Sequence, residues 1–137
     1  MASLADATPS IALGSLDGRY RGVVAPLVDH LSEPALNRAR IQVEVEWLIW
    51  LTTHQVVPGV RALTDHEQAE LRQVAPDFGA AEIEELATVE RETLHDVKAV
   101  EYFLKRRLTA IAPAEEDAGL AELIHFCCTS EDINNLS

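Results

Sequence analysis

Positive charge is scarce in this sequence: 11 Lys plus Arg stand against 23 Asp plus Glu, a formal net charge of -12. A field of that sign repels phosphate backbones and anionic lipid surfaces, which argues against nucleic acid and membrane surfaces as partners. It leaves an anionic small molecule possible, because a few local cations and helix amino termini can outweigh the global field inside a cleft. No Lys or Arg occurs in the first 18 residues, and no apolar run there is long enough for a signal-peptide core. Nor is there anywhere a stretch of about 18 apolar residues, the length that would span a bilayer. The expectation is a cytoplasmic protein. Glycine and proline are also sparse, six of each, and 47% of the 137 residues are hydrophobic, which excludes fibrous and disordered classes. The two cysteines, Cys127 and Cys128, are adjacent, a poor geometry for a disulfide and too few thiols for a metal site, so they read as small buried side chains. Alternating apolar and polar runs, internal repeats and low-complexity tracts are absent as well. So are a glycine-rich phosphate loop, a metal-ligand spacing and a nucleophile paired with a base.

Helical signals are what remains, and the predicted class is all-α. Ser32-Glu33-Pro34 supplies a capping hydroxyl and an early proline before a long helix over Ala35 to His54. Leu36, Val43, Trp47, Trp50 and Leu51 mark one side of it, and Ile41, Val45, Leu48 and Ile49 widen the stripe enough to predict burial on two sides. Thr64-Asp65-His66-Glu67 has the spacing of a capping box and opens a helix through Val74, closed by Pro76-Asp77-Phe78-Gly79. A further helix is expected over Ala80 to Val89. Another starts at Asp96, where Val97, Val100, Leu104, Leu108 and Ile111 follow a three-four spacing, with Lys98, Lys105 and Arg106 opposite. Pro113 to Asp117 is an acidic break, Leu120 to Phe126 reads as a short helix, and Thr129-Ser130-Glu131-Asp132 starts a last one. That last helix has no room to bury a face before Ser137, which suggests a truncated sequence. The expected division is a flexible lead-in over residues 1–14, a helical domain over 15–126, and the beginning of a second domain over 127–137.

Four clusters could carry chemistry, each with a plainer alternative. Asp17-Gly18 makes a tight turn that projects Arg19 and Tyr20 together, a guanidinium and a phenol suited to phosphate or carboxylate, or simply a surface turn. His95 sits at a helix start beside Asp96, where the helix dipole and the acidic neighbours pull its proton affinity in opposite directions. It suits a general acid or base, a donor to an anionic substrate, or a capping role alone. Lys98 and Glu101 form an expected exposed helical pair, and Tyr102 is assigned to packing. Thr129 and Ser130 place two hydroxyls beside free amides at a helix amino terminus, which is an anion site or a plain capping box. The run after Asp132 lacks the glycine of a calcium-binding helix–loop–helix.

In this order, Leu16-Asp17-Gly18-Arg19-Tyr20, His95-Asp96-Val97-Lys98-Ala99-Val100-Glu101-Tyr102 and Thr129-Ser130-Glu131-Asp132-Ile133-Asn134-Asn135 resemble the amino-terminal region of the bacterial-type adenylosuccinate lyases, of the fumarase/aspartase superfamily. Gln42-Val43-Glu44-Val45-Glu46-Trp47-Leu48 is similar to that family's first long helix, so the resemblance covers about residues 15–137. It implies a mainly helical homotetramer built on a long central bundle, without metal or organic cofactor, cleaving adenylosuccinate to AMP and fumarate and acting on the related succinyl-carboxamide ribotide in purine synthesis. On matching positions it implies that Arg19 and Tyr20 hold the substrate phosphate, that His95 and Asp96 line the site with His95 a possible auxiliary in catalysis, and that Thr129 and Ser130 contact the succinyl end or nearby polar groups. Leu94 departs from the polar residue the family often places before the histidine. The family draws its acid from a Thr-His-Gly-Gln-Pro segment and its base from a serine on a later loop, and neither occurs here. The resemblance therefore implies a piece that is catalytically silent alone. The competing reading is a small acidic helical interaction module using the wide apolar stripe of Ala35 to His54.

Overall fold

The computed structural model describes residues 16, 18, 20–113 and 118–137, and among these every regular element is a helix. Three short turns of helix, α1 (Arg21–Val24), a 3-10 turn (Ala25–Leu27) and α2 (Val28–Leu31), lead into α3 (Glu33–Thr53). Ser32 Oγ accepts the Ala35 N–H at 3.2 Å and donates to the Val28 carbonyl, so one hydroxyl closes α2 and opens α3. Gln55, at φ 52, ends the helix with the left-handed residue that such C-termini favour.

The Thr64–Glu67 capping box opens α4 (Asp65–Val74) as its spacing predicts. Arg61 reinforces it by forking onto both Glu67 oxygens at 2.7 Å. α5 (Ala80–Thr93) starts at Gly79, whose N–H donates to Glu82, and runs four residues past the expected Val89. It stops because Leu94 turns left-handed, at φ 53, and His95 caps α6 (Asp96–Ile111). The two-residue link makes α5 and α6 packed neighbours. α7 (Ala118–Ala121) and α8 (Ser130–Leu136) complete the order.

The core sits where α3, α4, α5 and α6 meet. Ile41, Val45, Leu48 and Leu51 of α3 pack with Leu71, Leu86, Val89, Val100, Phe103 and Leu104, and Phe78 meets Phe103 edge-to-face at 5.8 Å. α8 docks on α3 through Ile133, which is buried.

Several expectations need correction. The inward face of α3 is Ile41, Val45, Leu48, Ile49 and Leu51, whereas Leu36 and Trp50 are exposed and Val43 and Trp47 only half-buried. The side marked by those four residues is thus outward, and Val43, Trp47 and Trp50 form one wall of an open apolar groove. Regular helix after Leu120 does not reach Phe126: α7 ends at Ala121, and His125 and Cys127 take left-handed φ values of 64 and 59 that no helix accommodates. Cys127 is exposed and Cys128 half-buried rather than interior. Glu101 is buried, not part of an exposed pair, and Tyr102 lies outside the core with the Lys98 ammonium over its ring. The acidic break falls partly on residues 114–117, outside the described residues, as does the lead-in over 1–14.

Candidate functional site

The start of α6 is built from side chains that serve the backbone first. His95 Nδ1 accepts the Lys98 N–H at 3.2 Å as the N-cap, and Thr93 Oγ1 donates to the His95 carbonyl at 3.0 Å. A ring bonded through Nδ1 in this way carries its proton on Nε2 when neutral. That nitrogen points across to α8, where Ser130 Oγ stands 3.5 Å away, a long polar contact. Thr93, His95, Val97, Lys98, Glu101, His125 and Ser130 line one open cavity of about 350 Å³.

Asp96 is the anchor beneath His95. Its Oδ1 accepts the Val97 N–H at 2.9 Å and its Oδ2 takes the Arg40 guanidinium at 2.7 Å. Partial burial works to raise the carboxyl, but the Val97 N–H and Arg40 outweigh it and hold Asp96 below its ordinary value. Arg40 is itself buried, and it also donates to Asn37 and to Asn134 of α8, both at 2.9 Å. One guanidinium therefore ties α3, the first turn of α6 and α8 together.

A second buried charge lies one turn along α3. Glu44, fully buried, takes the His125 N–H at 3.0 Å on Oε2 and meets His125 Nδ1 at 2.6 Å with Oε1. Burial pushes the Glu44 carboxyl up, and the His125 hydrogen bonds offset only part of that. Trp47 fixes the same segment by donating Nε1–H to the Phe126 carbonyl at 2.9 Å. On the cavity's far edge, burial likewise works to raise Glu101, yet the ammonium groups of Lys98 at 2.7 Å and Lys105 at 3.1 Å keep its carboxyl below the ordinary range.

The structure brings His95 and Ser130 to one cavity, with Asp96 behind them. Thr129 borders them as the cap of α8: its hydroxyl and N–H both donate to Asp132, at 2.8 and 2.7 Å. These bonds hold the Asp132 carboxyl below its ordinary value. Thr129 thus spends its donors on the helix, and Ser130 is the hydroxyl that faces the cavity. Tyr20, half-exposed, follows a turn closed by the Arg21 N–H on the Gly18 carbonyl at 3.1 Å and lies at the start of α1, outside the cavity lining. Arg19 lies outside the described residues. Arg40, Glu44, His125 and Asn134 escaped the reading of the sequence as site residues. A signal was present: Arg40 and Glu44 fall in register with Ile41, Val45 and Leu48, and a charge repeated on a core face requires a buried partner.

No family model matches the chain. The chain is similar to adenylosuccinate lyase of Escherichia coli strain K12, at 43% identity over 126 residues, 92% of this chain and 27% of that protein. It is also similar to adenylosuccinate lyase of Haemophilus influenzae, at 44% over the same shares, and to that of Dictyostelium discoideum, at 36% over 90% of this chain and 26% of the relative. The chain spans about a quarter of the length of these curated relatives.

Proposed function

We propose that this chain, whose sequence matches the adenylosuccinate lyases over nearly all of its own length and about a quarter of theirs, supplies part of the substrate-binding wall of such an enzyme. The reaction is the cleavage of adenylosuccinate to AMP and fumarate, with the succinyl-carboxamide ribotide of purine synthesis as second substrate. A base removes a proton from the succinyl carbon next to the one bearing nitrogen, and the electron pair passes onto the adjacent carboxylate. That pair then returns to form the C=C bond of fumarate as the C–N bond breaks with its electrons going to nitrogen, which takes a proton from an acid.

The observation that carries this reading is the meeting of His95 and Ser130 at one cavity, from segments 35 residues apart. Ser130 Oγ and His95 Nε2 serve as hydrogen-bonding groups toward the succinyl end, with His95 an auxiliary in catalysis. Asp96 fixes the turn that carries His95, and Thr129 fixes the turn that carries Ser130. Arg19 and Tyr20 take the phosphate. On this reading residues 15–126 are the amino-terminal helical domain and 127–137 open the central bundle of a cytoplasmic homotetramer. Base and acid come from other segments, so the 137 residues alone are silent.

The test is a chimera in which these residues replace the matching segment of the Escherichia coli relative. Cleavage of adenylosuccinate, followed by its ultraviolet absorbance, is the expected result, and a folded but inactive chimera would overturn the assignment. Turnover by the 137-residue chain by itself would overturn its silence. One observation favours a second reading, an acidic helical interaction module: the groove of about 770 Å³ walled by Val43, Trp47, Trp50, Cys127, Ile133 and Leu136.

A further inference from the structure

Burying a carboxylate without a cation of full charge beside it is costly, and a fold keeps one only where its oxygens are satisfied. Glu44 has no exposed surface, and both of its oxygens go to a single residue, His125, 81 positions away. His125 in turn has a backbone that side-chain-bearing residues rarely adopt, φ 64, in a segment where the helix has already ended. The left-handed turn lets the His125 N–H and its ring point the same way, into the two oxygens of one carboxylate. Because Nδ1 is engaged, Nε2 is the ring nitrogen left for whatever enters the cavity that His125 lines with His95, Lys98 and Ser130.

We infer that Glu44 is a positioning residue: its buried carboxylate sets both the backbone turn and the ring orientation of His125, and so presents His125 Nε2 to the cavity. The importance of that cavity rests on the lyase reading, but the geometry of the pair does not. The arrangement needs the carboxylate specifically. Two donors, the backbone N–H and Nδ1–H, require two acceptor oxygens, and Glu44→Gln keeps the shape while supplying one. His125 then loses a partner at one of its two donors, and its ring no longer has a reason to hold the proton on Nδ1.

The experiment is long-range proton–nitrogen NMR of the ¹⁵N-histidine-labelled 137-residue chain at neutral pH, with His125 assigned through His125→Gln. The titratable groups facing the ring region are His95, Lys98 and Glu101 of α6 and Asp132 of α8, and the spectra are compared at one pH so that their states do not differ. The expected result is a His125 ring protonated at Nδ1, and a shift in Glu44→Gln to the Nε2–H form ordinary for free histidine. A wild-type ring with Nδ1 bare overturns the inference, and that spectrum decides the matter even if Glu44→Gln fails to fold. Retention of Nδ1–H in a folded Glu44→Gln protein overturns it too. An inactive chimera with Nδ1 protonated would sink the lyase reading and leave the positioning role standing.

Discussion

Arg40 Nη2 and Asp96 Oδ2 meet at 2.7 Å across 56 residues of sequence, joining the middle of α3 to the first turn of α6. The guanidinium is buried while the carboxylate side chain keeps 46% of its exposure, so the two ends of this bond are unequal. Water can replace Arg40 at Asp96, but nothing replaces Asp96, Asn37 and Asn134 together at Arg40. Replacing Arg40 by Met should cost about 2–3 kcal/mol, the scale of hydrogen bonds to a charged group, because it removes three of them at once and leaves the buried Asn37 without its donor. Asp96→Asn should cost about 1 kcal/mol or less, since Asn keeps an acceptor for the Val97 N–H and the site is half open to solvent. Urea unfolding of the two variants orders them, and equal losses would show that the Asp96 bond carries the whole of Arg40's contribution.

Leu94 sits in a left-handed conformation with 87% of its surface in water, so its side chain contributes little packing against a backbone cost of about 1 kcal/mol. Asparagine tolerates that conformation far better, and Leu94→Asn should raise the unfolding free energy by about 0.5–1 kcal/mol. A β-branched residue should do the reverse, and Leu94→Val is the matching control. A lower urea midpoint for the asparagine variant would mean that the leucine makes a contact worth more than its strain.

Acid should remove support from the start of α4. The Arg61 fork, with the Thr64 bonds added, overcomes the opposing effect of burial and lowers the Glu67 carboxyl from 4.5 to about 2. A depressed folded value means that the contribution is complete above the unfolded value near 4.5 and disappears as pH falls toward 2. Glu44 has the opposite sign. Its carboxyl is raised, so its favourable contribution belongs to pH below its unfolded value and is lost as pH rises through the folded one. Glu67→Gln should therefore flatten the loss of stability between about pH 4.5 and 2, as seen by circular dichroism at 222 nm. An unchanged acid profile would show that the Arg61 pair contributes nothing net in water.

Capping chemistry is the part of this fold that reads directly from sequence, because its partners are three residues apart. Thr64 with Glu67, Thr129 with Asp132 and the start at Asp96 all appear where their spacing places them. Burial on α3 does not read that way. Trp50 is large and apolar yet exposed, stacked on Trp47 and His54, while Arg40 and Glu44 are charged yet interior. What decides the matter is Asp96, His125 and Asn134, supplied from 56 to 94 positions away, which no local window contains. The same holds for the segment after Leu120: its composition suits a helix, but the Glu44 carboxylate and the Trp47 bond to Phe126 hold it in turns. Of the candidate site, His95, Asp96, Thr129 and Ser130 were legible as polar helix starts. Their convergence reads only from the family resemblance, because it follows from how α8 docks on α3 and no local pattern carries it.

Trp47 offers a way to loosen that turn segment without touching its charges. Trp47→Phe removes the 2.9 Å bond to the Phe126 carbonyl and keeps most of the ring's packing, at a cost of about 1 kcal/mol. Hydrogen exchange should then accelerate at His125 and Cys128, whose N–H groups are bonded within or beside that loop, while the amides of α6 stay protected. Uniform acceleration over the whole chain would mean that the bond contributes only to global stability.

His95 has two roles that one substitution can separate. As a cap it needs only an acceptor for the Lys98 N–H, and asparagine is among the best N-cap residues known. As a cavity group it needs Nε2 within reach of Ser130 and of substrate, which asparagine cannot supply. His95→Asn should leave the unfolding free energy of the chain within about 0.5 kcal/mol. Placed in the chimera with the Escherichia coli relative, it should lower adenylosuccinate cleavage by about 10²-fold or more, the scale of losing a group that moves or shares a proton. Ser130→Ala should retain the Thr129–Asp132 cap, since Ser130 takes no part in it, and lower the same rate while α8 keeps its place. If His95→Asn is as active as the parent chimera, the histidine is a cap and nothing more. If it unfolds the chain, the ring contributes packing that the cap bond does not account for.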